Sequence, residues 1–163
     1  MATNFLWAAG TSNNGLLVAA ITLLSTELNS LTSGSTVVSS VGGASGVFTN
    51  SNTSQGILAS LFFNFGGTNS GSPSAAGSIA GWFLESLDGG TTFENSSTAQ
   101  LRAPDFIFAT PSTQIAGGSA PLKSIQPVIL PALEFKVFVQ NNTNANFAAS
   151  GLTLKAAPYA MQY

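Results

Sequence analysis

Short apolar runs alternate along the chain with clusters of Gly, Ser, Asn and Thr. Apolar runs bounded by turn residues are typical of β-strands. We predict strands at residues 16–24, 36–39, 57–65, 78–87, 105–109 and 133–140, and residues 147–150 and 152–156 to close the sheet. Residues 124–130 contain Pro127, which predicts an edge strand or an irregular segment. By length alone the first run also fits a short helix, and residues 26–31 fit a helical turn.

Two of these segments carry more detailed patterns. Residues 133–140 alternate, which predicts that Leu133, Phe135, Val137 and Val139 point inward and that Glu134, Lys136 and Gln140 point outward. The strongest turn signal is Asp88-Gly89-Gly90, and it predicts a hairpin over residues 79–94.

Together the segments predict an all-β fold of a single domain. Eight to ten short strands without a long helical pattern fit a β-sandwich with a jelly-roll-like strand order, and a small barrel is the alternative. We place the β-sandwich domain at residues 16–157, an N-terminal arm at 1–15 and a C-terminal arm at 158–163.

Both predicted arms contain large side chains that favour protein interfaces. We predict that they dock onto a neighbouring molecule, although packing against the parent sandwich explains the same residues. The predicted anchors are Phe5, Leu6, Trp7, Tyr159, Met161 and Tyr163.

The composition excludes several classes of function. The 163 residues include 4 Lys plus Arg, 6 Asp plus Glu, no His and no Cys. Without His or Cys there is no Ser-His-Asp or Cys-His triad and no zinc site of the usual kind, so we expect no metal and no cofactor. A net charge of −2 argues against a nucleic-acid partner. The longest apolar run, 16–24, is shorter than the ~20 residues of a membrane helix, so we expect no membrane partner.

Carboxylates are the remaining candidates for catalysis. Glu85 and Glu94 flank the predicted turn, and a carboxylate pair is the minimum for glycoside hydrolysis. Two solvated carboxylates on the outer face of a strand explain the same pattern, and Asp88 is explained by its turn. We therefore expect no enzymatic activity.

Several stretches, in their order and spacing, resemble a family of small virion proteins from tailed bacteriophages. The resemblance covers nearly the whole chain and involves structural motifs. The stretches are residues 26–31 (TELNSL), 81–86 (GWFLES) with 88–94 (DGGTTFE), and 135–137 (FKV) leading to 149–155 (ASGLTLK).

This resemblance implies a capsid cement or decoration protein, made in the host cytoplasm and bound to the outside of the virion. The implied partners are the major capsid protein and other copies of the chain, as a homotrimer. The slightly acidic balance agrees with the outer face, because a protein that faces packaged DNA is more often basic. The alternative is a carbohydrate-binding module of a head or tail fibre that recognises the host surface.

Overall fold

The computed structural model describes residues 7–8, 20–40, 46–49, 58–66, 70–71, 77–110, 122–124 and 126–161. These residues form twelve strands, a 3₁₀ turn at Thr26–Leu28 and one helical turn, α1, at Ser96–Ala99. The strands are β1 Trp7–Ala8, β2 Ile21–Leu24, β3 Thr36–Val38, β4 Leu58–Asn64, β5 Ser70–Gly71, β6 Gly77–Glu85, β7 Phe106–Thr110, β8 Leu122–Lys123, β9 Val128–Ile129, β10 Phe135–Asn142, β11 Ala145–Asn146 and β12 Thr153–Met161.

The longer strands form two antiparallel sheets. The first has the order β1-β12-β4-β8, with β2 also paired to β12 and β9 also paired to β4. The second has the order β3-β10-β6-β7, and β5 and β11 form a separate two-stranded ribbon. We call the two large sheets the six-stranded and the four-stranded sheet.

The main hydrophobic core is formed by the inner faces of both sheets. On β4 the buried positions are Ala59, Leu61 and Phe63, which alternate with partly exposed neighbours as the pleat of a strand requires. Inner residues of β6, β7, β10 and β12 join the same core. The predicted all-β sandwich is therefore confirmed, and the jelly-roll strand order stays a prediction.

The alternation predicted for residues 133–140 is confirmed for most positions. Phe135, Val137 and Val139 are buried in the main core. Leu133 is the exception, because it precedes β10 and is 40% exposed.

The predicted hairpin over residues 79–94 is wrong. On one side β6 pairs with β10 and on the other with β7, so strands other than residues 91–94 occupy both of its edges. Residues 91–94 instead form bends and coil, and one backbone hydrogen bond, from Glu94 N–H to Glu85 O, joins them to the end of β6. A turn does form at Asp88-Gly89-Gly90, where both glycines have positive φ, but the chain after it packs on the outer face of the four-stranded sheet instead of adding a strand.

β12 crosses the predicted domain boundary at residue 157. It continues to Met161, and its later residues pair with β4, at Tyr159 with Leu58, and with β1, at Met161 with Trp7. Among the residues that the structure describes, no helix is both long and apolar enough to span a membrane.

Candidate interaction surfaces

The structure places the six predicted anchors in two groups. Trp7, Tyr159 and Met161 lie in β1 and β12, whose backbones pair with each other at the edge of the six-stranded sheet. Phe5, Leu6 and Tyr163 lie outside the described residues. The described parts of the two predicted arms therefore meet in one sheet.

Most aromatics of the central strands are packed inside the protein. Phe63 and Phe65 lie in the main core, with ring centroids 5.0 Å apart. Trp82 is also buried, and among the aromatics of β4 and β6 only Phe62 is partly exposed. If aromatic rings of β4 and β6 bind a ligand such as a sugar, Phe62 is the one ring among them that is partly exposed to it.

A second hydrophobic cluster lies on the outer face of the four-stranded sheet. Residues 93–102, which we call the cover segment, follow the turn after β6 and contribute Ala99 and Phe93 to it. Trp82 and Phe138 form the centre of this cluster, with ring centroids 5.4 Å apart. The remaining members are Ala80, Leu84 and Val38. This face is thus buried by the protein's own chain.

Arg102 fixes the end of the cover segment to the sheet. Its guanidinium lies 3.2 Å from Glu94 and 2.7 Å from Asp105, and it also donates to the backbone oxygen of Phe83 at 2.9 Å. Asp105 in turn accepts the backbone N–H of Phe83. The two carboxylates, Glu94 first, raise the pKa of Arg102. Sequence reasoning missed this cluster, although the i, i+3 spacing of Arg102 and Asp105 is a usable signal.

Asp88 organises the turn after β6. Its carboxylate accepts the Thr92 hydroxyl at 2.6 Å, the backbone N–H groups of Thr91 and Thr92, and the Ser86 hydroxyl at 2.7 Å. These hydrogen bonds, led by that of the Thr92 hydroxyl, hold the pKa of Asp88 well below its usual range. Gly89 and Gly90 follow with φ of 71° and 83°, which L-residues rarely adopt.

The two glutamates considered as a catalytic pair have different surroundings. Glu94 is held by Arg102, whereas Glu85 ends β6 with an exposed side chain. Glu85 pairs with Phe135 of β10, and the backbone oxygen of the preceding Glu134 accepts the N–H of Ser86 at 2.8 Å, so the side chains of Glu85 and Glu134 project from opposite faces of the sheet. We call Glu85, residues 86–92 and Glu134 the acidic turn. Leu87 within it is 90% exposed.

The outer face of the six-stranded sheet carries a different pattern. Phe62 on β4 pairs directly with Lys155 on β12 and with Lys123 on β8, so the three residues stand abreast. We call them the lysine row. Two rows further along β4, Leu58 pairs with Ile129, which is 72% exposed. This face therefore combines two positive charges with apolar side chains.

All ten charged residues of the chain lie in the described part, and their distribution is uneven. The six-stranded sheet contains Lys123 and Lys155 and no acidic residue. The ion pairs found among these ten side chains are the two made by Arg102. Lys136 lies over the ring of Phe93, 4.8 Å from its centroid. The lysine row and the acidic turn therefore hold charges that no ion pair neutralises.

The described residues offer little further chemistry. No group of three or more Asp or Glu side chains is placed to hold a metal ion. A groove of about 280 Å³ opens at the sandwich edge between β7 and β9, lined by Asp105, Ile107, Ser124 and Val128 among others. Asp105 is already bound to Arg102, and the Ser124 hydroxyl is bound to the backbone of Gln126.

Comparison with known proteins gave no relative. No protein-family model, no curated protein and no solved structure matches the chain.

Proposed function

We propose that the chain is a structural protein of a tailed-bacteriophage particle. It binds the outer surface of the capsid and stabilises the shell by bridging neighbouring major-capsid subunits. Its partners are the major capsid protein and other copies of itself. This proposal rests on the resemblance described above and on the surface of the protein.

The observation that carries the proposal is the exposure of large apolar side chains on a surface with few charges. Leu87, Leu101 and Ile129 are 90%, 87% and 72% exposed, and they lie on different parts of the fold. Charged residues are 6% of this chain, against about 25% in a typical soluble domain. Copies packed at high density repel each other little when they carry few charges.

The proposed mechanism requires no reacting group. A protein that binds only the assembled shell stabilises the shell by linkage, by about 2.7 kcal/mol per site when its free concentration is about a hundred times Kd. Many sites acting together give a large effect from individually modest contacts.

The decisive measurement is the copy number in purified particles, by quantitative mass spectrometry of gradient-banded virions. A number in fixed ratio to the major capsid protein supports the proposal. A few copies per particle would favour the fibre alternative, which a glycan array then tests. Absence from the particle would overturn both.

Two deletions test the predicted anchors. Deletion of residues 1–6 removes Phe5 and Leu6 and leaves β1 in place, whereas deletion of residues 1–8 also removes β1. If the predicted anchors Phe5 and Leu6 dock onto the capsid, the shorter deletion weakens capsid binding in a sedimentation assay and leaves the unfolding midpoint unchanged. If the shorter deletion lowers the midpoint instead, these residues pack against their own sandwich.

A further inference from the structure

Positive and negative charges lie on different sides of this protein. The strands of the six-stranded sheet hold Lys123 and Lys155 and no acidic residue. The four-stranded sheet and the segments that adjoin it hold Arg102 and Lys136 together with the acidic residues Glu85, Asp88, Glu94, Asp105 and Glu134. The protein is therefore acidic as a whole, yet the outer face of its six-stranded sheet is basic.

Strand register arranges the side chains of this basic face in rows. The pleat of β4 turns Leu58, Ser60 and Phe62 outward, because the residues between them are buried. The lysine row runs through Phe62, and four residues back along β4 an apolar row runs through Leu58 and Ile129. Between the two rows lie the small side chains of Ser60 and Ala157, which are directly paired. The face thus carries a basic row and an apolar row about 13 Å apart, with a shallow trough between them.

The lysine row fixes the spacing of its two charges. Neighbouring strands lie about 4.8 Å apart, so the backbones of Lys155 and Lys123, one on either side of β4, are about 10 Å apart. Both lysine side chains are exposed, and the partly exposed ring of Phe62 lies between them. A matching surface carries acidic side chains on both sides of an apolar one.

Two lysines beside apolar side chains favour a protein partner over a polyanion. A nucleic acid is typically held by about six to ten phosphate contacts, and an anionic lipid surface by clusters of about four to eight basic residues. The basic face has two lysines, and Ile129 in its apolar row is 72% exposed. Apolar side chains flanked by a few charges are usual at protein interfaces, where the charges steer and orient the partners.

We infer that the six-stranded sheet faces the capsid and that its lysine row docks on an acidic surface of the major capsid protein. Such a surface attracts the basic face and repels the acidic side of the protein, so every copy binds in the same orientation. The predicted anchors Phe5 and Leu6 directly precede β1, which lies at an edge of this same sheet. The inference names the contact surface and the chemistry of the partner within the proposed function, and it rests on that function.

The test is cosedimentation with shells assembled from the major capsid protein in the absence of this chain. The variant K123Q/K155Q removes both charges of the lysine row. We expect it to bind the shells about tenfold more weakly than the unchanged protein, and we expect the affinity of the unchanged protein to fall as salt is added. The variant K123R/K155R keeps both charges and should bind like the unchanged protein.

The matched control is Q100E/N142D, which changes the net charge by the same amount as K123Q/K155Q. Both positions are exposed and lie on the side of the four-stranded sheet, Gln100 in the cover segment and Asn142 at the end of β10. Packed sheets are about 10 Å apart, so these charges are separated from the lysine row by more than a Debye length at 0.1 M salt. We expect this control to bind like the unchanged protein, and circular dichroism checks that each variant is folded.

Three results would overturn the inference. Undiminished binding of K123Q/K155Q would show that another face contacts the shell, and the proposed function would stand. Equal weakening by K123Q/K155Q and Q100E/N142D would make net charge the cause, again with the proposed function intact. An unchanged protein that binds a single-stranded oligonucleotide or phosphatidylserine vesicles through its lysine row, and does not bind the shells, would overturn the proposed function as well.

Discussion

The side chain of Asn141 provides a direct test of how the fold is held together. Asn141 is fully buried near the end of β10, where the chain turns toward β11. Its Nδ2 donates to the backbone oxygens of Leu31, at 3.0 Å, and Ala145, at 2.8 Å. Its Oδ1 accepts the backbone N–H of Thr143 at 3.1 Å and the Thr143 hydroxyl at 2.7 Å. Every hydrogen-bonding position of the amide is therefore used.

Replacing Asn141 with Ala removes all four hydrogen bonds, but their loss is unequal. The oxygen of Leu31 still accepts from Phe147 N–H, and the oxygen of Ala145 still accepts from the Thr143 hydroxyl. The N–H of Thr143 loses its side-chain acceptor in a buried place. With about 1 kcal/mol for each lost bond and a further penalty for the orphaned N–H, we expect Asn141→Ala to lower the free energy of unfolding by about 3–5 kcal/mol.

The assay is equilibrium unfolding in urea, followed by circular dichroism. The matched control is Asn142→Ala at the exposed neighbouring position, where the side chain makes a 3.3 Å hydrogen bond to Gln140, and there we expect a change within about 0.5 kcal/mol. Equal effects at the two positions would refute the reasoning, because they would show that burial and saturation of the amide do not matter.

Three further predictions concern β6 and its surroundings. Gly81→Ala should destabilise by about 2 kcal/mol in the same assay, because a methyl group there would overlap the Phe106 ring; an unchanged midpoint would contradict this packing. Phe138→Ala should lower the free energy of unfolding by about 3 kcal/mol and shift Trp82 fluorescence to longer wavelength. Unchanged fluorescence would show that the cover segment leaves this face in solution. Asp88 has a lowered pKa in the fold, so its stabilising effect is present above about pH 4 and is lost as the pH falls further. The stability difference between Asp88→Asn and the unchanged protein should therefore shrink in acid, and a difference constant from neutral pH to pH 2 would be the contrary result.

Local patterns allowed prediction of the strands that depend on local alternation. The apolar run of β4 predicts its strand, which buries every second residue, and the alternation in β10 predicts the inward positions Phe135, Val137 and Val139, which lie in the main core. Gly89 and Gly90 adopt positive φ where the sequence predicts a turn. In each case the physical cause acts within a few neighbouring residues.

Features that depend on distant residues could not be read in the same way. The hairpin prediction failed because β6 pairs with β7 and β10. No pattern within β6 or the turn indicates which strands will pair with its two edges. Asn141 looks like part of a polar turn, yet its partner Leu31 is 110 positions away, and this contact buries the amide. The lysine row likewise exists only because strand register brings together Lys123, Phe62 and Lys155.

The pairing of β4 with β12 also sets the order of events during synthesis. Leu58–Asn64 is an uncharged strand at the centre of its sheet, and its partner Thr153–Met161 begins about ninety residues later. At about 5–20 residues per second, a ribosome needs roughly 5–20 s to make that stretch. During this interval the nascent chain holds an apolar strand without its partner, the type of segment that aggregates. Slow translation or a holding chaperone should therefore affect the yield of folded protein.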